Sequence, residues 1–421
     1  MKILIKQGRI ADPSSPHNGA VTDIFVENGS IKAIGRDLPA DADQVLDLKG
    51  AAVSPGWVDI FAHFADPGYE FKETLETGAA AAAKGGYTDV LVLPNTSPCV
   101  HNKASIEYIT QKSKTGAVNI HPIGAITRNA DGKELAEMYD MRASGALAFS
   151  DGLNPVQSAG LLVKALQYVK AFNGMVIQVP NDASINPHGL MHEGIVSTQL
   201  GLPGKPALAE ELMVARDIEL ARYAESRLHL TGISSAQSLE YIRQARQSGL
   251  DITCSVSPAH LWFTDADVAG YNSNLKAVPP YRLESDRAAL RKALLDGTID
   301  CLASHHSPHE YDSKVLEFEY AKPGMIALES AFGLMMSSIP ELTPEQVARI
   351  MAVAPRKMLG LPTASVVEGA AACLSFFDTA TNITCTPDYF RSKSKNTPLL
   401  GMTLKGKVIG ILNKGQLVLV H

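Results

Sequence analysis

Residues 55–68 decide the fold and read PGWVDIFAHFADPG. The segment from Trp57 to Phe64 is almost entirely apolar and is followed by a Pro-Gly turn, which predicts a buried strand. Side chains alternate between the two faces of a strand, so Phe61 and His63 are expected on the same face. If this is the first strand of a (β/α)8 barrel, both side chains lie at the carboxyl-terminal mouth, where such folds carry their functional residues.

The next 300 residues alternate between strand-like and helix-like patterns. Residues 75–84 are rich in alanine and stop at two glycines, which predicts a helix, and residues 88–93 predict the buried strand after it. Further predicted strands cover 117–123, 147–150, 175–180, 227–230, 251–256 and 301–304, and further helices cover 158–172, 210–226, 236–248 and 287–295. About eight such units close a parallel barrel. An open doubly wound sheet is the alternative, but the sequence has no glycine-rich dinucleotide loop.

The two ends of the chain carry a different pattern. Short apolar runs alternate with turns at both ends, which predicts antiparallel strands without a long helix. Two β-rich ends around an α/β middle indicate one small β-sandwich built from both termini, with two separate β extensions as the alternative. The predicted division is a β-sandwich from 1–53 and 366–421 around a barrel at 54–365.

The composition is that of an ordinary globular protein. Hydrophobic residues make up 45% of the 421 residues, and the formal net charge of −6 argues against nucleic acid and anionic membranes as partners. No apolar run reaches the ~18 residues of a spanning helix, and the N-terminus lacks the pattern of a signal peptide. The five cysteines lie far apart without zinc-finger spacing. We therefore expect reduced thiols and a cytoplasmic location.

The stretch at 55–68 resembles the first-strand signature of the cyclic amidohydrolases, which include dihydroorotases, allantoinases and hydantoinases. Their pattern is Pro-Gly-x-x-Asp-x-His-x-His-x-x-x-Pro-Gly. Other segments resemble type I dihydroorotases, at 191–194, 201–202, 215–218, 265–267, 274–282, 296–300 and 394–398. The resemblance covers nearly the whole chain and implies a (β/α)8 barrel with a small β-sandwich. In active members it also implies one or two zinc ions, held by histidines and carboxylates, that generate hydroxide at neutral pH.

The positions that match the zinc ligands of this family have mostly changed. His63 keeps the second histidine of the first-strand pair, and Asp151 keeps one of the two aspartates of the bridging region. Three positions that the resemblance assigns to histidine ligands hold Phe61, Gln178 and Gly232. His305 replaces the aspartate that binds metal and shuttles the proton in the family. Ala65 replaces the arginine that binds the substrate carboxylate.

The remaining ligands are too few for zinc, which usually has at least three protein ligands. We therefore expect no cofactor, although the active relatives hold zinc. A rearranged site made of His63, His305 and His306 is the alternative. Three residues still match substrate-contacting positions of the family: Asn95, Asn274 and His309. They are expected either to contact a ligand or to serve as turn and packing residues.

These departures favour a dihydroorotase-like subunit without hydrolytic activity. Non-catalytic homologues in this family are known as partners of aspartate carbamoyltransferase in pyrimidine (UMP) biosynthesis. The resemblance therefore implies that enzyme as a partner and a homodimer as the state of the chain. Two other functions stay open: an active zinc-dependent dihydroorotase or related cyclic amidohydrolase with atypical ligands, and a small-molecule sensor that uses the old pocket.

Overall fold

A computed structural model describes residues 1–36, 38 and 41–420 of the chain. Its strands, numbered in chain order, are β1 (Lys2–Ile10), β2 (Val21–Glu27), β3 (Ser30–Gly35), β4 (Gln44–Asp47), β5 (Ala52–Pro55), β6 (Trp57–Ala62), β7 (Tyr87–Val92), β8 (Asn119–Gly124), β9 (Ala148–Phe149), β10 (Met175–Gln178), β11 (Met191–His192), β12 (Gly204–Lys205), β13 (Leu228–Leu230), β14 (Ile252–Val256), β15 (Cys301–Leu302), β16 (Leu374–Thr384), β17 (Thr403–Asn413) and β18 (Gln416–Leu419).

The helices are numbered in the same way. They are α1 (Leu75–Lys84), α2 (Lys103–Lys112), α3 (Met138–Ala143), α4 (Ala159–Lys170), α5 (Ile195–Leu200), α6 (Leu208–Ala224), α7 (Ala236–Gln247), α8 (Pro258–Trp262), α9 (Glu284–Asp296), α10 (Ala331–Ser338), α11 (Pro344–Ala348) and α12 (Ala354–Leu359). Shorter 3-10 turns lie at Arg128–Ala130, Asp265–Gly270, Ser273–Leu275, Tyr311–Ser313 and Pro387–Tyr389, and a π-helical turn at Arg349–Val353 joins α11 to α12. Within the described residues, no helix combines the length and the apolar character needed to cross a membrane.

Eight parallel strands form a barrel in the order β6-β7-β8-β9-β10-β13-β14-β15. The barrel closes where the end of β6 meets the segment after β15. There the His63 backbone N–H donates to the His306 carbonyl at 2.8 Å, and Ala62 forms a bridge with His306. The predicted (β/α)8 barrel is confirmed. Closure also places His63 beside the segment at 305–306, although the two are far apart in the sequence.

The two ends of the chain form one sheet, because β16 from the C-terminal end pairs with β5 from the N-terminal end. The expectation that the N-terminal strands are all antiparallel is wrong: β1 pairs antiparallel with β2 but parallel with β4 and β5. Alternating apolar runs predict strands and not their direction. The predicted ranges 1–53 and 366–421 include positions 37, 39, 40 and 421, which lie outside the described residues.

Buried contacts join the bottom of the barrel to this sheet. The Trp57 ring packs against Phe332 and Phe377, with both centroid separations at 5.1 Å. The Arg356 guanidinium lies 2.5 Å from the Asp89 carboxylate and also donates to the backbone near the start of β6. Because these groups lie at the end opposite the mouth, they serve the stability of the fold.

The elements at the mouth are shorter than the sequence predicts. Strand β6 ends at Ala62 instead of Phe64, and β15 ends at Leu302 instead of residue 304. After β6 the chain turns sharply at Ala65, whose φ is +59°. The side chains around the mouth therefore project from turns, which can aim them in directions that a regular strand does not allow.

Candidate functional site at the barrel mouth

A cavity of about 270 Å³ opens at the barrel mouth. Phe61 and His63 line one side of it, as their shared strand face predicts, and His305, His306 and His309 from the segment after β15 line another. The rest of the wall is mostly apolar and includes Leu93, Leu153, Val179, Ala277, Tyr281 and Met325. The fold therefore gathers most of the histidines that the sequence singled out around one apolar cavity.

His305 lines the mouth cavity beside Phe61. Its ring packs on the Phe61 ring, with centroids 4.7 Å apart and planes inclined by 35°. Its φ of +50° is unusual for a non-glycine residue, and such backbone conformations persist only where the surroundings hold them. Burial lowers the pKa of His305 to about 3. At neutral pH the side chain is therefore an uncharged ring.

A buried chain of hydrogen bonds fixes the proton on this ring. His229 Nε2 lies 3.0 Å from Ser255 Oγ, which donates to Thr231 Oγ1 at 2.7 Å. The Thr231 oxygen lies 2.9 Å from His305 Nε2. The Thr231 hydroxyl accepts from Ser255, and among the described residues His305 Nε2 is the acceptor within reach of its own proton, so we assign that proton to the bond with His305. The neutral His305 ring then holds its proton on Nδ1, as an N–H donor at the cavity wall.

Gly232 leaves the space that the His305 ring occupies. Its φ is +73°, and a Cβ added there would lie 2.9 Å from His305 Cε1 and 3.4 Å from Pro279 Cδ. Real Cβ atoms almost never approach another atom so closely. A side chain at position 232 would therefore require the His305 ring to shift, so residues 232 and 305 are in direct steric contact.

Gln178 holds the backbone of a neighbouring loop. Its amide oxygen accepts from Val156 N–H and its amide nitrogen donates to the Val156 carbonyl, both at 3.3 Å. The same nitrogen lies 3.4 Å from the Asp217 carboxylate, whose pKa burial raises to about 6. The side chain is fully buried. Both polar atoms of the Gln178 amide are thus used in structural contacts at a position where the resemblance implies a metal ligand.

The Asp151 carboxylate is also used in structural hydrogen bonds. Its two carboxylate oxygens accept from the Thr127 backbone N–H at 2.9 Å and from the Thr127 hydroxyl at 2.5 Å. Burial raises the pKa of Asp151 to about 6 in spite of these bonds. Asn95 binds the backbone around it, donating to the Asp151 carbonyl and accepting from Leu153 N–H, both at 3.0 Å. Both polar atoms of the Asn95 amide are therefore used in hydrogen bonds within the protein.

His63 and His306 point to different partners. His63 Nε2 lies 2.9 Å from the Asn95 carbonyl, and burial lowers its pKa to about 4. His306 Nδ1 accepts from Ala327 N–H at 3.1 Å, so its proton is on Nε2, which lies 3.4 Å from Glu73 without a well-aligned hydrogen bond. The alternative metal site consists of the rings of His63, His305 and His306. Each of these rings uses one nitrogen in a separate structural contact.

The donor set does not fit the zinc centre that the resemblance implies. Phe61 has no ligating atom, and Gly232 has no side chain. Gln178, Asp151 and His305 are held by the contacts just described. In the described part of the chain, no group of three or more His, Cys, Asp or Glu side chains is placed to hold a metal ion. A zinc site usually requires three such ligands.

The three residues matched to substrate contacts have separate positions. His309 lines the cavity and donates through Nε2 to the Pro323 carbonyl at 2.9 Å, while its buried Nδ1 has no partner among the described residues. Asn274 Oδ1 is also buried without a described partner, but neither Asn274 nor Asn95 belongs to the cavity wall. Ala65, in place of the family's arginine, is fully buried.

Sequence reasoning missed the polar residues that hold the site together. Ser255, His229 and Thr231 form the chain that orients His305, and Glu73 faces His306. Ser255 is a fully buried polar residue in strand β14, and such a residue is a usable signal because buried polar groups need partners. The partner itself could not be named from sequence, since it lies on a different strand.

Comparison with known proteins places these observations in one family. The family model described as Dihydro-orotase-like matches residues 50–238. The chain is 41% identical over 424 residues to a dihydroorotase of Syntrophus aciditrophicus, with 99% of each chain covered. It is 43% identical to a dihydroorotase of Pelotomaculum thermopropionicum, covering 100% of this chain and 99% of that one.

The solved structures agree in fold. An L-hydantoinase (dihydropyrimidinase) from Arthrobacter aurescens superposes with a TM-score of 0.87 at 24% identity, covering 99% of this chain and 96% of that one. A D-hydantoinase superposes with a TM-score of 0.84 at 21% identity, covering 100% and 95%. At this identity the likeness establishes a shared architecture, a barrel with a β-domain from both ends.

Proposed function

The chain belongs to the dihydroorotase-like family, and we propose that it serves pyrimidine biosynthesis as a non-catalytic subunit that supports assembly of aspartate carbamoyltransferase. The observation that carries this proposal is the coupling of Gly232 to His305. On this proposal Gly232 occupies a ligand position of the family, and its missing side chain makes room for the His305 ring. Together with the contacts between Gln178 and Val156, this supports a barrel mouth whose residues serve packing and hydrogen bonding and do not bind a metal.

The proposed loss of hydrolysis follows from the chemistry that the family reaction requires. Zinc-dependent hydrolysis needs a metal to generate hydroxide and a group that moves the proton. His305 stands at the proton-shuttling position, but burial lowers its pKa to about 3, so it is a weak base at neutral pH. Ala65 offers no charge to a substrate carboxylate. These groups act as a unit in enzymes, so their combined loss is severe.

An association role requires exposed surface, and one loop offers it. Between β15 and α10, the segment from Tyr311 to Tyr320 exposes four large apolar side chains: Tyr311, Val315, Leu316 and Tyr320. Exposed apolar groups clustered in this way are typical of protein contact sites. A specific interface buries about 1,000 Å² or more in total. We propose this segment, the 311–320 loop, as part of the contact with the transferase or with a second copy of the chain.

The assembly role is tested by co-expression with aspartate carbamoyltransferase, followed by size-exclusion chromatography with light scattering. We expect a joint complex that contains dimers of this chain. The double variant Tyr311→Ser/Tyr320→Ser should weaken the complex, while the control Tyr223→Ser, which changes an equally exposed tyrosine on α6, should leave it intact. Separate elution at micromolar concentration, with a transferase that is equally active and stable alone, would refute this role.

The alternative of an active amidohydrolase is tested by turnover. Purified protein supplied with zinc should hydrolyse no dihydroorotate above the protein-free rate, while an active relative assayed in parallel provides the positive control. Turnover that a chelator abolishes would show that the atypical residues do assemble a working site, and the non-catalytic role would have to be abandoned.

A further inference from the structure

The structural contacts at the barrel mouth leave a cavity unfilled. Its volume of about 270 Å³ equals the space of roughly nine water molecules at ~30 Å³ each. This is room for one small ring system. A mostly apolar cavity with a few converging polar groups is the usual form of a small-molecule site.

Aromatic rings give the cavity flat walls. Phe61 and His305 form one ring pair, with centroids 4.7 Å apart. His260 and Tyr281 form a second pair, 4.9 Å apart, and both of these residues also line the cavity. Aromatic rings gain most from other rings in offset or edge-on contact. The walls therefore favour a flat ligand over a branched or extended one.

Three imidazole nitrogens provide polar contacts. His63 and His309 each use Nε2 to donate to a carbonyl oxygen, which can only accept, so each Nδ1 is an acceptor. His305 is the reverse: its Nε2 accepts from Thr231, so its Nδ1 is a donor. Among the described residues, His309 Nδ1 is buried without a partner. Such a group costs about 1–3 kcal/mol unless something binds it. A ligand with N–H donors and a carbonyl or ring-nitrogen acceptor matches this set.

The wall carries little charge. Of its residues in the described structure, Lys322 alone is a lysine, arginine, aspartate or glutamate, and it is exposed at the rim. An exposed ammonium is well solvated and attracts an anion only weakly. Since position 65 holds a buried alanine, the mouth has lost the side chain that would bind a carboxylate in the family.

We propose that the mouth cavity binds an uncharged, flat heteroaromatic molecule of the size of a free nucleobase, with ligand donors facing His63 and His309 and a ligand acceptor facing His305. This ligand class presupposes the proposed loss of the zinc centre and is independent of the assembly role. It differs from the anionic, metal-bound substrate of an active dihydroorotase in charge and in its contacts.

Calorimetric titration of the full-length protein with uracil, adenine and orotate tests this assignment, with metal content measured on the same sample. Uracil and orotate share a ring and differ by one carboxylate, so they isolate the effect of charge. We expect saturable one-to-one binding of uracil or adenine, and orotate binding at least tenfold weaker than the better of the two. No saturable binding of either base, or tighter binding of orotate, would overturn the inference.

A cavity-filling variant locates the bound base. Ala277 lies on the cavity wall and is partly exposed, so Ala277→Leu should reduce the cavity, and urea unfolding of the variant shows whether the fold is kept. We expect at least tenfold weaker binding of the base by this variant. Ala104→Leu, on the exposed face of α2, is the matched control and should bind normally. Unchanged binding by Ala277→Leu would place the base elsewhere and refute the assignment. A stoichiometric metal in the sample would contradict the proposed function itself.

Discussion

The His305 ring packs on the Phe61 ring, with centroids 4.7 Å apart, in the space where active relatives are expected to hold zinc. The resemblance to the cyclic amidohydrolases implies a metal ligand at position 61 and a proton-shuttling aspartate at position 305. The contact of the two rings is possible because Gly232 has no side chain and Thr231 holds the His305 ring. The three departures from the family pattern are thus parts of one packing arrangement.

Restoring the first-strand histidine alone should not restore activity. In Phe61→His, the new imidazole joins a mouth in which Gln178 is bound to Val156 and Gly232 has no side chain. When catalytic groups act as a unit, restoring one of them recovers little activity. We expect no dihydroorotate hydrolysis above the protein-free rate in a spectrophotometric assay with added zinc. Measurable turnover would mean that the ligand positions are wrongly assigned.

Phe61 should contribute strongly to stability. Its side chain is 1% exposed and packs with residues from several barrel strands. We expect Phe61→Ala to lower the free energy of unfolding by about 3–5 kcal/mol, because it removes a buried ring and leaves a cavity. The control Phe71→Ala changes a phenylalanine that is 55% exposed and should cost much less in urea unfolding. Equal costs for the two variants would contradict the packing role of Phe61.

The coupling of Gly232 to His305 can be measured with a matched glycine. Gly360 has a φ of +66°, close to the +73° of Gly232, but no atom lies within 4 Å of an added Cβ. Gly360→Ala should cost about 1–2 kcal/mol from backbone strain alone. Gly232→Ala should cost at least ~1 kcal/mol more because its Cβ contacts His305.

The extra destabilisation by Gly232→Ala should disappear when the His305 side chain is truncated. In the background of His305→Ala, Gly232→Ala should cost about as much as Gly360→Ala, and a double-mutant cycle gives the coupling free energy directly. Additive costs would show that the two positions do not contact each other.

The Asp89–Arg356 pair should make stability depend on acid pH. Burial opposes ionisation of Asp89, but the His121 hydrogen bond and the Arg356 guanidinium hold its pKa well below its usual range. A carboxylate with a lowered folded-state pKa stabilises the fold above its unfolded pKa of ~3.9, and this contribution is lost as the pH falls below that value. Asp89→Asn should cost about 3–5 kcal/mol at pH 7.

The acid dependence identifies the source of this cost. Urea unfolding from pH 7 to pH 3 should show the gap between wild type and Asp89→Asn narrowing below about pH 4. Glu107→Gln removes an exposed partner of Lys103, 3.6 Å away, and should change stability by less than ~1 kcal/mol at any pH. A gap that stays constant with pH would assign the effect to packing.

The sequence predicts the elements of this fold better than their contacts. Helix α1 occupies its predicted range, and the strand alternation yields the barrel, because periodicity is local information. The direction of β4 and β5 depends on pairing with β1 and was not predictable in this way. The substitutions at 61, 178 and 232 are visible in the sequence. The contacts of Gln178 with Val156 and of His305 with Thr231 join segments that are far apart in the sequence, so only the structure reveals them.

The metal content of the purified protein tests the central claim most directly. The protein should be expressed and purified in the presence of zinc, dialysed, and analysed by inductively coupled plasma mass spectrometry, with an active dihydroorotase treated identically as the positive control. We predict well under one zinc per chain, because His63, Asp151 and His305 are held by separate structural contacts. One or more zinc ions per chain that a chelator removes, with zinc-dependent turnover of dihydroorotate, would contradict the account.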